Sequence, residues 1–147
     1  MSNKPVTDTL KKLLAESYGL MIKTHNYHWN VEGAQFGALH TLFEGQYTEL
    51  FAAVDEIAER IRALGEKAPG SYAEFTKLSK LRDGNSGFDA EQMLRDLYDG
   101  QQQVLATVAK TFAAAEKAGD DATADLMTER RAAHEKAAWM LKSSLPR

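Results

Sequence analysis

The sequence predicts an all-α protein, a four-helix bundle with one short extra helix in its long middle connection. Three observations carry this. Apolar residues recur at helical spacing along four long stretches, no segment keeps a period-two alternation long enough for a strand, and glycine or proline clusters separate the stretches. At 147 residues the chain amounts to one domain, large enough to bury its own core.

The first helix is expected over 7–29, where Leu10, Leu14, Met21 and His28 share one face at 100° per residue, and Gly33 marks the turn behind it. The second and longest is expected over 34–64, stopping at "GEKAPG". Ser71 and Glu74 have capping-box spacing and open a short helix through about Leu78. "RDGNSGF" reads as a loop, with Asp89 as N-cap of the third long helix, whose stripe is Met93, Leu97, Val104, Val108 and Phe112. Gly119 ends that helix. Asp120 or Asp121 starts the last, with Ala122, Leu126, Ala133, Ala137 and Met140 expected to face inward. A crossover long enough to hold the short helix suits an up-down-down-up bundle. Residues 1–6 are expected to form a short mobile tail and 7–145 the helical domain.

Composition narrows the chemistry. With no cysteine, disulfides, thiolate-bound zinc, iron–sulfur clusters and thiol nucleophiles are excluded, which fits a reducing compartment. "MSNKPVTDTLKKLL" has neither the long apolar run nor the cleavage site of a secretory signal, and no membrane span is expected. The formal net charge of −3 gives no basic surplus for a nucleic acid and mildly favours a cation.

The candidate site lies on the second helix. Measured from His40, the helical angles of Glu44, Asp55 and Glu59 are about 40°, 60° and 100°, so four metal-capable side chains share one edge. Charged residues on one stripe are ordinarily a solvated face. Here Leu39, Phe43, Tyr47, Phe51, Val54 and Ile61 crowd both sides of it, and His28 arrives from the apolar face of the first helix. One ion cannot touch both ends, because Glu44 and Asp55 are separated by roughly 16 Å of helix rise. Two copies of the helix packed antiparallel about a two-fold axis near residues 49–50 would set His40 opposite the partner's Glu59 and Glu44 opposite the partner's Asp55. That arrangement makes two identical sites from two subunits. Two imidazoles with three carboxylates suit iron, with manganese or zinc as competitors. A di-iron centre inside one bundle would use Glu-x-x-His motifs, and the chain has none.

"HWNVEG", Phe36–His40, and the D-x-x-AER pattern of Asp55–Arg60 followed by "IRALG" resemble the signature of the Dps mini-ferritins, the bacterial DNA-protection-during-starvation proteins. The similarity covers nearly the whole chain, including the short crossover helix and "DDATAD" at the start of the last one. The resemblance implies a ferritin-like bundle assembled as a hollow homododecamer. It implies ferroxidase activity, with Fe(II) oxidised by hydrogen peroxide in preference to O2 and ferric mineral stored inside, protecting the cell from oxidative damage. It places the iron ligands at His28, His40, Asp55 and Glu59. Glu44 stands where many members have aspartate. Trp29 matches a tryptophan beside the iron site that absorbs radical equivalents. Asp121, Asp125 and Glu129 fall where the family lines a cation pore with acids, although acids at a helix N-terminus also arise simply from the helix dipole. Cytoplasmic localisation is implied, with nucleoid association if DNA is bound. DNA binding is expected to be weak: only Lys4 precedes the first helix, and a dodecamer would carry a formal charge of about −36. The competing reading is a structural DNA-condensing stress protein with incidental metal binding.

Overall fold

The computed structural model describes residues 3–146. Five helices make up the fold: α1 (Lys4–Asn30), α2 (Phe36–Ala63), α3 (Tyr72–Leu78), α4 (Ala90–Ala118) and α5 (Asp121–Ser143). No strand occurs among the described residues. α1 packs along α2 and α4, α4 packs along α5, and α3 rests on α1, whereas α2 and α5 meet only sparsely. Two helical hairpins joined by the crossover that carries α3 thus enclose one core, its largest fully buried side chains including Tyr27, Phe43, Leu50, Ile57, Leu97 and Met127.

The capping residues are those the sequence offers. The Ser71 and Asp120 side chains accept from the backbone N–H groups of Glu74 and Thr123, and Asp89 with Gln92 forms a reciprocal capping box. Gly119 closes α4 at φ 71°, a left-handed conformation that glycine adopts without strain.

Three details differ from the sequence reading. α1 begins at Lys4, not Thr7, because Pro5 sits in the first turn, where its ring is preorganised for a helix, and Val6 is fully buried. Of the tail expected over 1–6, residues 1 and 2 lie outside the described residues and Lys4, Pro5 and Val6 belong to the helix. α2 begins at Phe36, since Ala34 and Gln35 complete the turn after Gly33, and at 28 residues it is one residue shorter than α4 and not the longest helix. The third difference concerns α5, which is rotated by about one residue. Its buried positions are Thr123, Met127, Arg130, His134, Ala138 and Leu141, while Ala122 is exposed and Met140 is 37% exposed.

That rotation carries Arg130 and His134 inward, into a polar network that joins buried Gln101 of α4 and exposed Glu49 of α2. The Arg130 guanidinium reaches both carboxylate oxygens of Glu49 and donates from Nη2 to His134 Nε2 at 3.0 Å. Since Nε2 accepts, the ring proton is on Nδ1, which donates to Gln101 Oε1 at 2.7 Å. With both nitrogens satisfied, imidazole can occupy a core position.

Burial, with the Arg130 charge second, pushes the His134 pKa down to about 3. The unfolded chain, with an ordinary imidazole near 6.5, therefore binds the extra proton. The stability that a neutral His134 permits is complete above about pH 6.5 and is lost progressively as pH falls toward 3. Buried Glu16 has the opposite sign. Burial raises its pKa, so acid relieves a cost there. The His134 shift is the larger, and it sets the expected direction. Denaturant unfolding of parent and His134→Gln at pH 6.5 and pH 4.5 should show a smaller acid loss in the variant; equal losses would mean that His134 is not the responsible group.

Gly100 lies on the buried face of α4. A Cβ at that position would stand 2.8 Å from Leu20 Cδ1, so glycine lets α4 close onto α1. A Cβ at Gly45 would meet nothing within the protomer.

Candidate metal centre

His28 ends the apolar face of α1 and His40 lies in the second turn of α2, so the turn between these helices folds the two imidazoles together. Their rings stack at 3.8 Å with an interplanar angle of 16°. His28 Nδ1 lies 2.7 Å from the carbonyl oxygen of His40, and His40 Nδ1 lies 2.7 Å from the carbonyl oxygen of His28. A carbonyl can only accept, so both rings carry their proton on Nδ1 and donate it. Each histidine thereby fixes the other's tautomer and orientation, leaving both Nε2 lone pairs free to bind a metal, the usual arrangement of a metal-ligating imidazole.

Glu44, one turn beyond His40, completes a cluster. Its Oε1 is 3.8 Å from His28 Nε2, and one ligand atom from each of His28, His40 and Glu44 lies within 4.8 Å of the others. Burial falls across the three: His28 is buried, His40 half-buried and Glu44 exposed. The cluster therefore opens at the surface, with its carboxylate outermost. Two imidazole nitrogens and one carboxylate oxygen suit a divalent first-row metal such as iron, manganese or zinc.

Asp55 and Glu59 do not join it. Both are exposed, three to four turns further along α2, and among the described residues only His28, His40 and Glu44 form a metal-sized cluster. Asp121, Asp125 and Glu129 are likewise exposed, one turn apart on α5, and converge on no common point within the protomer. Asp120 beside them is the α5 N-cap, bound by Arg60 Nη2 at 2.8 Å, which ties the Glu59 end of α2 to the start of that acidic ridge.

Trp29 is 63% exposed, and its ring lies 3.9 Å from that of His25. His25, which the sequence places more naturally at the surface, is half-buried and also contacts Tyr47 at 4.2 Å. Tyr47 stands edge-on to His28 at 5.2 Å. The sequence reading uses Tyr47 only as apolar filling. Its place seven residues after His40, two turns along the same face, is the signal that would have found it.

Comparison with known proteins agrees with this architecture. A family model for the ferritin-like domain matches residues 7–147. DNA protection during starvation protein 2 of Bacillus anthracis is 37% identical over 97% of this chain and 98% of its own length. Dps from Staphylococcus aureus superposes with a TM-score of 0.95 at 32% identity, covering 99% of this chain and 98% of that one. A Dps protein from Vibrio cholerae, described as a member of a broad superfamily of ferritin-like diiron-carboxylate proteins, superposes at 0.92 with 30% identity, covering 96% of this chain and 89% of that one. The chain belongs to the ferritin-like family and, within it, to the Dps mini-ferritins.

Proposed function

We propose that this protein is a ferroxidase and iron store. Fe(II) is its substrate, hydrogen peroxide its preferred oxidant, and ferric mineral held inside a dodecameric cage its product. The observation that carries this reading is the reciprocal histidine pair, whose two Nε2 lone pairs are held ready beside Glu44 at the surface.

The cluster is half of a site. His28, His40 and Glu44 bind from one protomer, and the exposed Asp55 and Glu59 bind from a second copy whose α2 runs antiparallel across a two-fold axis near residues 49–50. Support comes from the apolar surface beside these acids. Phe51 is 65% exposed, and next to it a groove of about 1040 Å³ lies between α1, α2 and α3, lined by Leu14, Tyr18, Val54, Tyr72 and Phe75 together with Asp55. Exposed apolar surface of this kind is what a two-fold interface, in which one face meets a second copy of itself, would cover.

In the reaction, carboxylates and neutral imidazoles hold two Fe(II) ions close enough to react as a pair. One peroxide takes one electron from each and, with two protons, becomes two waters. Pairwise reduction avoids the one-electron step that releases hydroxyl radical. Asp121, Asp125 and Glu129, repeated around a three-fold axis of the cage, draw Fe(II) inward by their summed negative potential.

The test is stoichiometric. Adding Fe(II) and peroxide to the purified assembly should consume one peroxide for every two Fe(II) oxidised, with little spin-trapped hydroxyl radical, and iron should co-elute with a dodecamer-sized particle. Oxidation no faster than in buffer, with protein eluting free of iron, would overturn the reading.

A further inference from the structure

Between α2, α4 and α5 an arginine side chain stands where a bound cation would. Arg130 is 5% exposed, and its Nη2 lies 3.0 Å from Glu49 Oε1 and 3.0 Å from His134 Nε2. A carboxylate oxygen and an imidazole nitrogen are both lone-pair donors that ligate divalent first-row metals. His134 is also held as a metal-binding imidazole is held. Its Nδ1 donates to Gln101 Oε1 at 2.7 Å, which fixes the ring and turns the Nε2 lone pair toward the gap. Gln46, Glu49, Gln101 and His134 line one groove of about 530 Å³, open to the surface at Glu49, whose side chain is 48% exposed.

The guanidinium satisfies this pocket only in part. Among the described residues Arg130 Nε has no acceptor, and the buried Gln46 Oε1 has no donor. Each is a desolvated polar atom without compensation, so pairing of polar groups is not what the arrangement does best. What it does achieve is occupancy, because a fixed positive charge sits between two metal-capable donors.

We propose that Arg130 is a specificity-determining residue whose guanidinium fills a cation position built by Glu49 and His134, and so keeps divalent metal out of the bundle. Arginine suits this task because it stays protonated at every physiological pH. With the guanidinium gone, a metal at the same point would draw each donor in by about 0.9 Å, from 3.0 Å to roughly 2.1 Å. Glu49 and His134 supply two donors where the His28 cluster has three, and water entering along the groove completes the coordination. The inference rests on the ferroxidase reading only for the identity of the excluded metal. An Fe(II) held there alone would give peroxide a single electron, becoming Fe(III) and releasing hydroxide and a hydroxyl radical.

The test counts metal in protein whose His28 cluster is silenced by His28→Ala with His40→Ala. In that background Arg130→Met, which keeps the buried stem without the charge, should bind about one Co(II) per chain beyond the background in equilibrium dialysis, and Co(II) should raise its unfolding temperature. Arg130→Ala carries the same expectation with a different change in packing. Adding His134→Gln should remove the gained site, and Arg130→Lys, which restores a cation, should not gain it. No added Co(II) in either neutral variant, a gain that survives His134→Gln, or an equal gain in Arg130→Lys would each overturn the assignment. Failure of the ferroxidase reading appears instead in the parent's peroxide stoichiometry, so the two fail separately.

Discussion

Two inactive variants should restore iron oxidation when mixed. His28→Ala with His40→Ala removes one half of the proposed site, and Asp55→Ala with Glu59→Ala removes the other. Each double variant alone is expected to lose at least about 10–100-fold in metal affinity, the range known for disturbing only the groups behind the ligands. When the two are dissociated, mixed in equal amounts and reassembled, half of the two-fold dimers hold one chain of each kind. In such a dimer the intact histidines of one chain face the intact acids of the other, while the second site has neither. About a quarter of the sites are then complete, and about that fraction of the parent's peroxide-driven rate should return. The recovery depends on geometry, because Glu44 and Asp55 stand roughly 16 Å apart along a rigid helix and cannot serve one ion within a chain. Mixed dimers, verified by co-purification through a tag on one variant, that show no recovery would disprove the shared site.

What the sequence makes legible here is periodicity and distance. Leu10, Leu14, Met21 and His28 do form one buried face of α1, and the expectation that His40 and Glu44 cannot meet Asp55 and Glu59 within one chain agrees with a cluster confined to His28, His40 and Glu44. The start of α1 and the face of α5 were less legible, for two physical reasons. Pro5 reads as a breaker until its place in the first turn is known. Pattern reading also sends arginine and histidine outward, so it cannot anticipate Arg130 and His134 taking core positions once Glu49 and Gln101, both distant in sequence, satisfy them. The tautomers of His28 and His40 were out of reach for a similar reason. They depend on two backbone carbonyls brought within 2.7 Å by the turn between the helices, and no spacing rule encodes that.

Asp96→Ala should be among the most destabilising single substitutions, costing about 3–5 kcal/mol, the range for breaking a buried pair from one side. Asp96 is 7% exposed on α4 and faces Lys23, 3% exposed on α1, with Nζ 3.3 Å from Oδ1. Its other oxygen accepts from the Tyr27 hydroxyl at 2.5 Å, and that hydroxyl in turn accepts from the Asn85 backbone N–H at 3.1 Å. Burial first, and the hydrogen bond to Asp96 second, raise the Tyr27 pKa well above its ordinary value, so the phenol remains a donor. Truncating Asp96 leaves an ammonium buried without a counter-charge and a buried hydroxyl without its acceptor. Arg82 adds little to the pair, because its side chain is 81% exposed and its Nη2 stands 3.7 Å away. The two halves of the cost separate by further substitution. Lys23→Met with Asp96→Leu removes both charges and should recover much of the loss, since apolar replacement of a whole buried pair is often neutral, and adding Tyr27→Phe removes the remaining unpaired hydroxyl. Denaturant unfolding at one fixed protein concentration, so that assembly contributes equally, measures all four proteins. A change below about 1 kcal/mol in Asp96→Ala would mean that Lys23 finds water or another partner when the carboxylate is gone. The clamp matters beyond stability because Tyr27 immediately precedes His28: the same bonds that pin the crossover loop to α4 fix the last turn of α1, whose carbonyl at His28 sets the tautomer of His40.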